Sequence, residues 1–253
     1  MTQHLYILTG ASRGMGLAIA QQLLAPKHTL LCVSRHASDV LAAQAAEAKQ
    51  STLTQWTLDL ADGATASAKL AKWLASLSAE SFASATLINN AASLPAISPL
   101  RDASAHDIAR TLRVGLESVM QLTAAFLGST RTWACPRRVL NISSGNGRRA
   151  MASQSIYSAV KAGMDHYTRC VALEEAAVTG GAKLCSLAPG IIDTDMQTHL
   201  RDTDPEKFPS RESFVQYKQN GDLLSPKAGA ARVLAYLARA DFGANSVADV
   251  RDA

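Results

Sequence analysis

The sequence predicts an α/β protein built on a doubly wound parallel sheet of about seven strands, with helices on both faces in three layers. Three observations predict it. Short apolar runs alternate with Ala-rich helical patterns from the N-terminus onward. The first run ends in a glycine cluster that leads straight into a helix. No linker or internal repeat of 20–50 residues breaks the alternation.

The apolar runs lie at 5–9, 29–34, 52–58, 85–89, 138–142 and 183–187, with a short final one at 246–250. Each is too short for a helix, and most are rich in Leu, Ile and Val, as strands covered on both faces must be. Between them, 17–24, 41–48, 154–177 and 227–239 place apolar residues at helical spacing. Alanine there adds helix propensity and lets helices approach the sheet closely. Residues 195–224 depart from the pattern: they are polar, charged and carry Pro205 and Pro209. The expectation is one domain over 1–253 with a lid-like insertion at about 195–224.

Composition narrows the function. In 253 residues, 47% are hydrophobic and 18% charged, which excludes a disordered chain, a collagen and a disulfide scaffold. The net charge is +4, with no basic run longer than Arg137-Arg138 or Arg148-Arg149, so no nucleic-acid partner is expected. Cys32, Cys135, Cys170 and Cys185 lie far apart with no Cys-x-x-Cys pair, and read as reduced, mostly core residues without a metal site. The start Met1-Thr2-Gln3-His4 lacks a basic leader region, and no apolar stretch reaches membrane-spanning length. These features predict a soluble cytoplasmic protein with no membrane association.

The glycine cluster reads Thr9-Gly10-Ala11-Ser12-Arg13-Gly14-Met15-Gly16. Glycines allow a sharp turn and close approach of the backbone to a pyrophosphate, while free N–H groups at the following helix N-terminus face the anion. At a strand-to-helix junction this is a dinucleotide-binding arrangement of Rossmann type, and Ser12, Arg13 and Met15 belong to the same loop. The second strand ends in Ser34-Arg35-His36, with no carboxylate before Asp39 to take a ribose 2′-hydroxyl. Arg35 and Arg13 instead offer forked guanidinium donors to a 2′-phosphate, so NADP(H) is expected over NAD(H).

Ser144, Tyr157 and Lys161 form a second constellation. Tyr157 and Lys161 are four apart in a helical segment and share a face, while Ser144 follows the run at 138–142. The carboxyl end of that strand borders the ligand crevice of a parallel sheet. An ammonium ~4 Å from a phenolate attracts it by roughly 4 kcal/mol at an effective dielectric near 20. On that basis the lysine is expected to lower the tyrosine pKa by up to ~3 units.

Together these residues resemble the short-chain dehydrogenase/reductase family over nearly the whole chain. The matching motifs, in order, are Thr9-Gly10-x3-Gly14-x-Gly16, Asp59-Leu60, Asn89-Asn90-Ala91-Ala92, Ser144, Tyr157-x3-Lys161 and Pro189-Gly190-x3-Thr194. The resemblance implies that Asp59 and Leu60 flank the adenine, Asn89 and Ala91 lie near the adenosine, and Pro189, Gly190, Ile192 and Thr194 form the nicotinamide side. It implies hydride transfer from NADPH to a carbonyl carbon, with Tyr157 as general acid, Ser144 hydrogen-bonding the same oxygen and Lys161 holding the nicotinamide ribose. It also implies a homodimer or homotetramer through helices at 104–128 and 154–178.

One departure stands out: where the family usually carries a catalytic Asn, this chain has Gly115 in Gly115-Leu116-Glu117-Ser118. In relatives that Asn supports a helix kink and a water that links the lysine to solvent. The second half is most similar to sepiapterin reductases and bacterial benzil reductases, through Val139 to Ser144, Ala172 to Glu175 and Leu187 to Gln197. That similarity implies a small-molecule carbonyl substrate, a 1,2-diketone or a pterin, and aligns Asp249 loosely with a pterin-holding Asp. Arg148 and Arg149 read as outward loop charges, with an anion-binding role as the other reading. Met196, Phe208, Phe214 and Tyr217 are either substrate contacts or packing residues. The same residues also fit a cofactor-binding sensor with little catalysis, and NADP-dependent alcohol oxidation with Tyr157 as base.

Overall fold

A computed structural model describes residues 2–48 and 51–252. Seven strands form its sheet: β1 (Gln3–Thr9), β2 (His28–Ser34), β3 (Thr52–Thr57), β4 (Phe82–Asn89), β5 (Arg137–Ile142), β6 (Lys183–Ala188) and β7 (Val247–Asp249). Their order is β3-β2-β1-β4-β5-β6-β7, and every neighbouring pair is parallel. The winding direction reverses between β1 and β4, which opens a crevice beyond their carboxyl ends.

Strand alternation divides the apolar residues between two cores. In β1, Leu5 and Ile7 point to one face while Tyr6 and Leu8 point to the other. On the Leu8 side lie α1 (Gly14–Leu23), α2 (Asp39–Glu47) and α9 (Pro226–Ala238), contributing Ile19, Leu41 and Val233. On the Leu5 side lie α3 (Gly63–Ala75), α5 (Ser118–Thr130) and α6 (Ser155–Ala176), contributing Leu70, Phe126 and Val171. Both faces of the sheet are thus covered, which is why its strands read as continuous apolar runs.

The expected strands all form, with shifted ends. β4 begins at Phe82, whose ring stacks on Trp133 with centroids 5.5 Å apart, so packing extends it beyond the run at 85–89. β3 stops one residue earlier than expected, at Thr57, and β7 has only three residues. Cys32 and Cys185 are buried and Cys135 half-buried, but Cys170 is exposed on α6, against the expectation of a core position; all four are free thiols. Among the described residues no helix is long and apolar enough to cross a membrane.

Residues 195–224, expected as a lid-like insertion, carry two helices. They form α7 (Asp195–Asp202) and α8 (Arg211–Gln219), which close over a cluster of Ile97, Leu200, Phe208 and Phe214. Phe208 is fully buried there, and Tyr217 meets Phe214 edge-on with centroids 5.8 Å apart. Of the four apolar candidates in this segment, Phe208, Phe214 and Tyr217 are therefore packing residues. These helices answer to a small core of their own, which the periodicity of the main core does not reveal.

Between α4 (Ala105–Leu112) and α5 the chain makes one π-helical turn, Arg113–Glu117. Such a turn leaves carbonyls without their usual partners, and the Ser118 hydroxyl donates to the Val114 carbonyl at 2.9 Å. Gly115 sits inside the turn, where a Cβ would come within 2.6 Å of Val160 Cγ1 on α6. The kink therefore exists without an asparagine, and Val160 fills the space that side chain would need. We expect Gly115→Asn to cost about 1–3 kcal/mol through overpacking. Adding Val160→Ala is expected to recover most of that loss, as measured by denaturant unfolding of the two variants.

Candidate active site

The crevice beyond the carboxyl ends of the strands holds a cleft of about 660 Å³. The glycine loop forms one wall. Gly10, at φ +72, donates its N–H to the Val33 carbonyl at 2.8 Å. A Cβ on Gly10 would lie 2.8 Å from Ala91 Cα, and one on Gly16 would lie 2.0 Å from the Gly10 carbonyl oxygen. Thr9 Oγ1 accepts from the N–H groups of Asn90 and Ala91, both at 3.0 Å, so the loop is fixed to the end of β4. Arg13 begins α1 without any side-chain cap, so the first-turn N–H groups of the helix stay open to the cleft beside Ser12, Gly14 and Met15.

Asn89 corrects the expectation made for it. It is 1% exposed and donates to Thr123 Oγ1 at 3.2 Å and Asn141 Oδ1 at 2.9 Å, inside the layer between sheet and α5. Its neighbour Asn90 faces the cleft instead, donating to the carbonyls of Thr9 and Gly10 at 3.0 and 3.1 Å. The period of two along a strand explains the exchange, because adjacent side chains point to opposite faces.

Arg35, Asp59 and Leu60 also line the cleft. Arg110 of α4, which the sequence did not single out, joins them and pairs with Asp59 at 3.1 Å. The Ala61 N–H, and after it Arg110, hold the Asp59 carboxyl below its usual range. Arg35 makes no ion pair among the described residues, whereas the Arg13 guanidinium meets Asp195 of α7 at 2.7 Å across the cleft mouth. That pair is mostly exposed, so its contribution to stability is small.

Ser144, Tyr157 and Lys161 meet on the opposite wall. Burial pushes the Tyr157 phenol up to about 12, with the neighbouring Ser144 hydroxyl acting in the other direction. This overturns the expectation that lysine lowers it. Lys161 is 2% exposed, its Nζ lies 5.6 Å from the centre of the Tyr157 ring, and it donates to the Ile142 carbonyl at 2.6 Å. Burial brings Lys161 down to about 8, with the charge of Asp165 opposing. Desolvation thus outweighs the Ser144 hydroxyl at Tyr157 and the Asp165 charge at Lys161.

Asp165 is the functional neighbour that sequence reasoning missed. It lies one turn beyond Lys161 and is 1% exposed. Its Oδ1 accepts from Ser143 and Ser186, both at 2.6 Å, and its Oδ2 pairs with Arg148 Nε at 3.3 Å. Arg148 also donates to the Ala248 carbonyl at 2.8 Å, so it turns inward and is not the outward loop charge expected. The only advance signal was the i, i+4 spacing from Lys161. Asp249 departs from its loose alignment too: it is buried and bound by Arg251 at 2.8 and 2.6 Å, away from the cleft wall.

After β6 the chain crosses the cleft. Gly190 turns it at φ +84, and Pro189, Ile192 and Thr194 face the glycine loop, with Thr194 Cγ2 only 3.4 Å from where a Cβ on Gly14 would stand. Met196, Gln197 and His199 of α7 line the cleft above them. Among the described residues no three His, Cys, Asp or Glu side chains gather as a metal site.

A parallel-sheet crevice with an open helix N-terminus on one wall and a Ser–Tyr–Lys set on the other defines a nucleotide-dependent oxidoreductase. The chain belongs to the short chain dehydrogenases, whose family model matches residues 4–205. That membership makes it an oxidoreductase of CH–OH and C=O groups that uses a nicotinamide cofactor. It is 34% identical over 221 residues to a benzil reductase ((S)-benzoin forming) of Bacillus cereus, covering 87% of this chain and 88% of that one. It is 31% identical to the sepiapterin reductase of Rattus norvegicus, covering 97% and 95%. A solved short-chain dehydrogenase/reductase from Burkholderia vietnamiensis superimposes with a TM-score of 0.67 at 31% identity, covering 99% and 98%.

Asp165→Asn keeps the shape of the side chain but removes its charge. The expected loss is about 2–3 kcal/mol in chemical denaturation, since the hydrogen bonds to a charged acceptor weaken together.

Proposed function

We propose that this chain is an NADPH-dependent carbonyl reductase acting on a small molecule whose carbonyl adjoins a second carbonyl or sits in a pterin-like ring. The observation that carries it is the meeting of Ser144, Tyr157 and Lys161 with the glycine loop on the walls of one cleft. The residues fit a dinucleotide. Gly10 and Gly16 let the loop fold tightly on itself where a Cβ would strike backbone, the first-turn N–H groups of α1 suit a pyrophosphate, and Arg35 suits a 2′-phosphate. The similarity to benzil and sepiapterin reductases supports the substrate class.

Bound nicotinamide supplies the hydride that reduces the carbonyl carbon. Tyr157 Oη keeps its proton through neutral pH and delivers it to the carbonyl oxygen as charge develops there. Ser144 Oγ donates a hydrogen bond to the same oxygen. Lys161 Nζ, anchored by the Ile142 carbonyl, brings a positive charge to this end of the cleft. Residues 1–253 act as one domain with 195–224 as a lid, and four free thiols suit a reducing cytoplasm. Leu112, Met120 and Leu173, exposed on α4, α5 and α6, support a homodimer through those helices. A sensor without chemistry would have no use for a Ser–Tyr–Lys set on the cleft wall.

Tyr157→Phe is expected to cut kcat by about 10²–10⁴ while leaving NADPH affinity within a few fold; unchanged turnover would end this reading. Arg35→Ser is expected to lower the NADPH-over-NADH preference at least about tenfold, read as the ratio of the two kcat/KM values. Reductive kcat/KM reports the free enzyme's groups and is expected to fall as pH rises through about 8, where Lys161 loses its ammonium, well before Tyr157 loses its proton.

A further inference from the structure

Gln197, in the first turn of α7, is 9% exposed and lines the cleft, yet its Oε1 is buried without any hydrogen-bond partner. Its place three residues after Thr194, the residue preceding α7, is where a Gln normally folds back to cap the helix start. Here it does not: only its backbone N–H binds Thr194, at 2.8 Å to the carbonyl oxygen. Capping therefore does not account for the side chain. A buried amide oxygen left unpaired is costly, and because Gln197 lines the cleft, a rotation of its side chain would present Oε1 to a donor arriving there.

We propose that Gln197 is a specificity-determining residue whose Oε1 accepts a hydrogen bond from an N–H of the substrate. The preferred substrates then carry a lactam-type N–H close to the reacting carbonyl, as in a pyrimidinone ring, over all-carbon diketones. The inference rests on the carbonyl-reductase reading and selects within its substrate class. A site built around a donor discriminates against the analogue without it, because the acceptor must then stay desolvated and unpaired.

Isatin and N-methylisatin test this directly, since they share the dicarbonyl and differ by one N–H. In the intact protein kcat/KM with NADPH is expected to favour isatin at least about tenfold. In Gln197→Met, of similar length without the amide, the ratio is expected to fall toward one, with NADP⁺ affinity within about twofold. Equal rates in the intact protein overturn the proposal. A preference that persists in Gln197→Met also overturns it, because the methyl group is then excluded by size. Loss of NADP⁺ affinity in the variant with an unchanged ratio assigns the donor to the nicotinamide amide and overturns the substrate role. Calorimetric affinity of both compounds for the NADP⁺ complex is measured in parallel. If neither compound is reduced, the carbonyl-reductase reading fails, while the affinity ratio still tests Gln197; binding of neither overturns both.

Discussion

One buried carboxylate holds the catalytic wall together. Asp165 projects from α6 and takes hydrogen bonds from Ser143 at the end of β5, from Ser186 within β6 and from Arg148 in the turn after Ser144. Those partners come from two chain segments, 143–148 and β6, that no local interaction would bring into register with α6. Ser144 follows Ser143 directly, Lys161 lies one turn before Asp165, and Pro189 comes three residues after Ser186. Moving the carboxylate would therefore shift the acid, the base-side lysine and the nicotinamide wall together. A buried charge persists in a fold only when its hydrogen bonds are complete, and here Ser, Ser and Arg complete them.

The electrostatics of the site follow from the same burial. The Tyr157 phenol is pushed up and the Lys161 ammonium down, so each is driven toward its neutral form. For a reductase this ordering is useful. The phenol holds its proton until an oxygen with developing negative charge arrives, and the lysine remains responsive near neutral pH. A tyrosine stabilised as phenolate would have no proton to give.

Much of this was legible in the sequence, for identifiable reasons. Strands covered on both faces leave unbroken apolar runs, so the order of elements could be read directly. Gly10 and Gly16 were legible because a backbone contact excludes every other residue. What escaped depended on side-chain direction or on distant partners. Asn89 and Asn90 are adjacent in sequence but face opposite ways. Arg148 reaches Ala248 across 100 residues, and Arg110 reaches Asp59 across 51. The helices at 195–202 and 211–219 pack on a private cluster, and so escape a search tuned to the main core.

The fit between Gly115 and Val160 bears on how such chains diverge. A larger residue at 115 runs into the valine, while a smaller residue at 160 beside Gly115 leaves a void. Neither position can change freely alone, because a larger residue at 115 requires a smaller one at 160. A glycine here is thus one half of a two-residue fit, and not simply the absence of a polar side chain. What residue 115 can be is decided as much in α6 as in the turn that carries it.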